Sequence, residues 1–229
     1  MTAARRTGPA LRAAFAAATT LAAPAVASPA ATPPPAAAPG TGAGAAAACT
    51  GTAPVVCHFD VAPGTYLDQP QLFPTVRPLI RRGDTVLIQL AHNAKQTTEA
   101  DYRANLTTMI DAIRGQGGCP VLVTPIVRRW FNADGTLDNG TALLVNGLGV
   151  DLPAQIRLLA TERHVPLIDL TALTRQRVEG LGPDGSKVLY LTDEQRDNTH
   201  TSERGATEYA ATVRDALRAQ HLLPAGLSR

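Results

Sequence analysis

An α/β fold on a parallel sheet is predicted by three features of this 229-residue sequence. Two apolar runs of strand length, Thr85–Leu90 ("TVLIQL") and Cys119–Val127 ("CPVLVTPIV"), carry almost no polar residue, as strands covered on both faces do. Segments of helical period separate and follow them. No internal repeat is visible. Strand and helix alternate along the chain, and a parallel sheet with helical crossovers is the simple way to pack that order.

The elements follow in sequence. Residues 54–66 ("PVVCHFDVAPGTY") read as a short strand-like piece, rich in β-branched and aromatic residues, with a Pro-Gly turn at Pro63–Gly64. Gly83–Asp84 is a turn that launches the first buried strand. A helix is predicted from Glu99 to Arg114, because Tyr102, Leu106, Met109, Ile110 and Ile113 share one face. "GQGG" closes it, and the second buried strand starts at Cys119. A polar loop, "RRWFNADGTLDNG", carries the only tryptophan. Pro153–His164 is a second amphipathic helix, with Ile156, Leu159 and Ala160 inward. "VPLIDLTAL" is read as a third strand running into a helix. "SERGATEYAATVRDALRAQ" is a terminal helix, with Ser202 as its N-cap and Glu203 in its first turn.

Ahead of these lies a different kind of sequence. Residues 1–27 read as an export signal: Arg5, Arg6 and Arg12, an Ala-rich apolar stretch, then a small-x-small site after Ala27. The stretch is too short and Ala-rich to span a bilayer, so a secreted, extracellular protein with no membrane partner is expected. Residues 28–53 are Ala, Pro, Gly and Thr without charge or large apolar side chains, and read as a linker. Removing the three leader arginines from 21 basic residues leaves 18 against 19 acidic ones. A near-neutral mature chain argues against nucleic acid as a partner. Cys49 and Cys57 lie eight apart in what should be an oxidising compartment, and could close a loop. Cys119, against an apolar run, is expected to be a buried free thiol.

Functional groups of open parallel sheets collect at the carboxyl ends of strands. His92 and Asn93, Thr124 with Arg128–Arg129, and Asp169 all fall there. Asp197 and His200 stand just before the terminal helix. In an Asp-x-x-His turn the carboxylate accepts the imidazole Nδ1–H, leaving Nε2 free as a general base. An Asn in a strand-end turn can donate its amide to a developing oxyanion. The plain alternatives are a helix-start Asp beside an exposed His, and a turn-forming Asn. His92 has no second ligand at metal spacing, so no metal and no cofactor is expected. Arg128 and Arg129 would suit an acidic sugar, or are a solvated loop pair. Trp130 and Phe131 would stack on a sugar, or cover the sheet edge. Cys57–His58 reads as structural rather than as nucleophile and base.

The blocks "GDTVLIQLAHN", "YRANLTTMIDAIRGQGGCPVLVTPIVRRWF", "VPLIDLTAL" and "DNTHTSERGA", in this order, resemble the SGNH-type (GDSL-like) hydrolases. The resemblance is to their rhamnogalacturonan acetylesterase-like branch and runs from about Gly83 to Ala219. It implies a three-layer α/β/α, flavodoxin-like sandwich over residues 83–229. It also implies a serine-type ester hydrolase that removes acetyl groups from pectin-type polysaccharide. By the same resemblance Asn93 is the oxyanion asparagine, His200 the base and Asp197 its partner. Arg128, Arg129 and Trp130 are then the candidate substrate contacts.

The sequence departs from that pattern in two places. The family's Gly-His-Asn-Asp block is Ala91-His92-Asn93-Ala94 here, and its Gly-Asp-Ser nucleophile block has no counterpart. The serines are Ser28, Ser186, Ser202 and Ser228, and none follows a strand ahead of Thr85. The nucleophile is therefore unassigned, with Thr65 as one stand-in, and impaired activity is expected. The alternative is a non-catalytic polysaccharide-binding remnant. Residues 54–82 read as a short remnant of an N-terminal β-segment. The sheet is expected to be incomplete on its N-terminal side, with an exposed edge, unless residues 54–66 restore a strand.

Overall fold

In the computed structural model the described residues are 62–223, together with the backbone of strand 54–57. The expected leader, the linker and the Cys49–Cys57 pairing lie outside them. The element order is β1 (Pro54–Cys57), α1 (Pro63–Asp68), α2 (Phe73–Val76), β2 (Thr85–Ile88), α3 (Glu99–Gly115), β3 (Cys119–Val123), α4 (Leu152–Glu162), β4 (Leu167–Ile168), α5 (Leu170–Gly185), α6 (Thr192–Gln195) and α7 (Glu203–Ala219). The four strands are all parallel and lie in chain order, β1-β2-β3-β4. β1 runs beside β2 with Cys57 opposite Ile88, so residues 54–57 do supply an edge strand.

The strand period of two divides the core. Val86, Ile88 and Leu122 face one side, where Tyr66, Phe73, Tyr102, Met109, Ile113, Ile156 and Leu159 from α1–α4 cover them. Leu87, Val121, Val123 and Ile168 face the other side, under Leu170, Val178, Tyr209 and Leu217 from α5 and α7. This is the three-layer α/β/α arrangement expected from the sequence. Both faces are covered, which is why β2 and β3 could be written as continuous apolar runs.

Local chemistry sets the boundaries. Gly83 has φ 83°, where a side chain would be strained, and its N–H donates to Gly117 O at 2.8 Å as β2 begins. Thr98 caps α3 by accepting from Asp101 N at 3.1 Å. Asp151 caps α4 through Ala154 N at 2.9 Å. Ser202 caps α7 through Gly205 N at 3.1 Å, as its sequence position suggested.

Four expectations need correction. Pro63–Gly64 is not a turn: Pro63 is the first residue of α1, a position where its missing N–H costs nothing. From Pro63 to Leu79 the chain is mostly helical rather than β, and it buries Tyr66 and Phe73 in the core. The third strand is only two residues long, because the Asp169 carboxylate accepts from Ala172 N at 3.3 Å and starts α5 there. Cys119 is free, but half-buried rather than buried.

Candidate active site

Three chain segments meet beyond the carboxyl ends of the strands. The first is the tight turn after β2, closed by Ala94 N donating to Ala91 O at 2.8 Å, with His92 and Asn93 at its centre. Both are half-buried. Tyr102 reaches across from α3 and donates its hydroxyl to Leu90 O at 2.6 Å, fixing the strand end that leads into the turn. Burial pushes the Tyr102 phenol far up, so it stays a neutral donor. On the outer side the Asn146 amide donates to Ala94 O at 2.9 Å and to Thr97 O at 2.8 Å. Its own oxygen accepts from Leu148 N and Val150 N at 2.9 and 3.1 Å.

The second segment is the loop that carries Asp197 and His200. The His200 ring Nδ1 lies 2.6 Å from Asp197 Oδ2. The same carboxylate accepts Thr199 N at 2.7 Å and His200 N at 3.0 Å through Oδ1. Burial disfavours the ionised carboxylate, but the bonds from the His200 ring and the two backbone N–H groups outweigh it. The Asp197 carboxyl is held below its ordinary range. With Nδ1 donating to an ionised partner, the Nε2 edge is the basic one, and the His200 side chain is half exposed. Leu191 N donates to His200 O at 2.9 Å, and Tyr190 pairs with Thr201 in an antiparallel bridge. Tyr190 in turn donates its hydroxyl to Val127 O at 2.8 Å, tying the loop's base to the end of β3.

The third segment, residues 124–131, joins the other two. Arg128 Nη2 donates to His92 O at 3.1 Å. Arg129 N donates to Asn198 O at 2.7 Å. The turn of Asn93 and the loop of His200 are thus bridged by two consecutive residues.

The predicted substrate contacts separate here. Arg129 is 9% exposed and cannot reach solvent as a sugar ligand. Its guanidinium donates to Ser186 Oγ at 3.1 Å, to Asn198 Oδ1 at 2.9 Å and to Pro183 O, and lies over the Phe131 ring at 5.7 Å. Burial opposes its charge, and Asp184 and Asp193 support it from further away. Arg128 is half-buried, and Trp130 is 48% exposed at the rim. Thr124 and Asp169 serve the fold. Thr124 Oγ1 donates to Asp169 Oδ1 at 3.0 Å, and Arg157 grips the carboxylate with two bonds of 2.9 Å.

Neither described serine offers a hydroxyl for attack. Ser186 is fully buried under Arg129. Ser202 donates to Val188 O at 2.6 Å while capping α7. Thr65 lies in α1. The side chains of Cys57 and His58 are outside the described residues. Among the described residues no group of three His, Cys, Asp or Glu side chains could hold a metal ion, and no helix is long and apolar enough to cross a membrane.

The parallel three-layer sandwich, with an Asp–His pair and a strand-end Asn beyond its strand ends, is the frame in which likeness to known proteins is judged. The fold likeness is direct. The chain superposes with TM-score 0.50 on a proposed SGNH hydrolase of Slackia heliotrinireducens, at 16% identity over 69% of this chain and 80% of that one. More particularly, it is 34% identical over 152 residues to the rhamnogalacturonan acetylesterase RhgT of Bacillus subtilis (strain 168). That match covers 60% of this chain and 62% of RhgT, so this chain spans less than two thirds of that relative. The crystal structure of protein YXIM of Bacillus subtilis matches with TM-score 0.59 at 25% identity, over 71% of this chain and 44% of that one. No protein-family model matches the chain. The chain is thus similar in sequence to a rhamnogalacturonan acetylesterase and in fold to an SGNH hydrolase.

Proposed function

We propose that this chain is a secreted carbohydrate esterase of the SGNH type, acting on acetylated pectin-type polysaccharide. The observation that carries the reading is the His200 Nδ1–Asp197 Oδ2 bond of 2.6 Å on a half-exposed imidazole. In this role His200 Nε2 takes the proton of the attacking hydroxyl, and Asp197 stabilises the imidazolium that forms. The Asn93 amide donates to the oxyanion of the tetrahedral intermediate. His200 then returns its proton to the departing sugar oxygen. Arg128 and Trp130 are the rim residues that would meet the polysaccharide. The basic and Ala-rich start of the sequence supports export, which N-terminal sequencing of protein from the culture medium would check.

No described side chain fills the nucleophile's place, so we expect impaired turnover. Because Ser186 and Ser202 are both committed to the fold, a second reading is kept: a non-catalytic polysaccharide-binding protein. Hydrolysis of p-nitrophenyl acetate by purified protein separates the two, with His200→Ala as control. A rate that falls in the variant supports the esterase. Equal rates, with retained binding to acetylated pectin, support the binding protein.

A further inference from the structure

We infer that Arg129 is the positioning residue of the Asp197–His200 pair, acting through Asn198. The inference rests on the reading of that pair as the acid–base end of the site, and it assigns to the fold's most deeply committed arginine a task beyond filling space.

Asn198 is the residue next to Asp197, and both of its polar backbone and side-chain oxygens are held. Arg129 N donates to Asn198 O at 2.7 Å, and Arg129 Nη1 donates to Asn198 Oδ1 at 2.9 Å. Thr192 Oγ1 donates to the same Oδ1, also at 2.9 Å. A residue held at its backbone and side-chain oxygens cannot swing, and the Asn198–Thr199 peptide is fixed with it. That geometry aims the Thr199 and His200 N–H groups at Asp197 Oδ1, and so leaves Oδ2 for the imidazole. The other guanidinium donors go to Ser186 Oγ and Pro183 O, on the kink that ends α5. Arg129 therefore fastens the loop to two fixed points at once: the end of β3 and the end of α5.

The chemistry explains why an arginine is used. Among the described residues no carboxylate lies within 4.0 Å of its guanidinium, so no ion pair accounts for its burial. Three neutral acceptors on two segments do, the kink at 183–186 and Asn198. Only a planar fork with several donors reaches them together. A lysine would supply the charge at one point and lose at least one of the three.

The test is a proton, not a turnover. In the full-length protein labelled at histidine, the His200 Nδ1–H is followed by NMR, with Asp197→Asn identifying the signal by its loss. Arg129→Met is expected to stay folded by circular dichroism while this proton exchanges with water about tenfold faster, the equivalent of one lost hydrogen bond. Arg129→Lys should recover part of the protection. Asn198→Ala keeps the backbone contact and removes only Oδ1; it should show the same change to a smaller degree, and it serves if Arg129→Met does not fold. Unchanged Nδ1–H exchange in a folded Arg129→Met, or in Asn198→Ala when the former is unfolded, overturns the proposal. Ester hydrolysis measured on the same samples reports separately: no His200-dependent rate sinks the esterase reading and leaves the positioning result standing.

Discussion

The two flanks of the site are built in opposite ways. On the His200 flank the support lies inside the protein: a buried guanidinium, the Tyr190 hydroxyl and the start of α7 hold the loop from beneath. On the Asn93 flank the buried Tyr102 hydroxyl holds only the end of β2, and the turn itself is clasped from outside, by Asn146 from a surface loop and by the half-buried Arg128. The base proposed at His200 must keep one ring orientation through a proton transfer, and an internal brace suits that. The oxyanion donor proposed at Asn93 is a side chain carried on its turn, and an outer clasp holds that turn. Disturbing each brace separately should disturb one flank and spare the other.

The largest effect should come from Gly205→Ala. A Cβ at Gly205 would sit 2.0 Å from Leu189 O and 2.8 Å from its carbonyl carbon, and backbone atoms cannot yield as a side-chain tip can. Leu189 O is also the acceptor for Ser202 N at 3.1 Å, so α7 and the His200 loop must both retreat. We expect a loss of about 3 kcal/mol, seen as a lower Tm. Amide exchange should speed up across residues 189–205 while residues 91–94 stay protected.

Asn146→Ala is the converse experiment. It strands the carbonyl of Thr97 and the N–H groups of Leu148 and Val150, and leaves Ala94 O with only Thr97 N. The expected cost is about 2 kcal/mol, since water replaces some of these bonds at a half-exposed site. Exchange should rise at residues 91–97 and not at 197–200. Equal loosening of both flanks would mean they are not independently braced.

A third change probes the end of β4, which serves neither flank. Arg157 pairs with Asp169, and both side chains are about one third exposed, which limits the pair to about 1 kcal/mol after solvent screening. Burial opposes ionisation of Asp169, but bonds from Arg157, Ala172 N and Thr124 prevail and hold its carboxyl low. A lowered folded value means the contribution is complete above the ordinary aspartate value of about 4 and is lost as pH falls through the folded value. Arg157→Met should therefore lower stability at neutral pH and flatten the acid side of the stability curve, with His200 Nδ1–H unchanged.

The sequence showed some of this and hid the rest for identifiable reasons. β2 and β3 were legible because strands buried on both faces leave uninterrupted apolar runs. α3 and α4 were legible from their inward rows. The Asp197–His200 bond follows from a spacing of three within a turn. What was hidden depends on contacts between distant segments. "PG" at Pro63–Gly64 suits a turn and a helix start equally, and only the packing of α1 against α3 decides. In "LIDLTAL" the apolar residues suggested a strand, yet Asp169 is an N-cap whose carboxylate starts a helix. Asn146 and Asn198 had no motif at all, because each is recognised only by the carbonyl or guanidinium it meets.

Arg128 and Arg129 are the sharpest instance, and Arg128 gives the smallest predicted effect. As neighbours in a polar loop they read alike, but burial alternates along Val127, Arg128, Arg129 and Trp130, so one points inward and the next outward. Arg129 has a partner for every side it presents. Arg128 makes one bond, to His92 O, and its buried Nε has no hydrogen-bond partner among the described residues. Burial, rather than any neighbouring charge, lowers the affinity of Arg128 for its proton. Replacing it with Met removes an unsatisfied donor along with one good bond, and these nearly cancel. We expect Arg128→Met to change stability by less than about 0.5 kcal/mol, against about 3 kcal/mol for Arg129→Met. Denaturant midpoints of the two variants check it. If Arg128→Met instead weakens binding of acetylated pectin at unchanged stability, the outward arginine faces the polysaccharide and the inward one holds the base. If both variants lose stability alike, the two flanks share one support and the contrast between them is wrong.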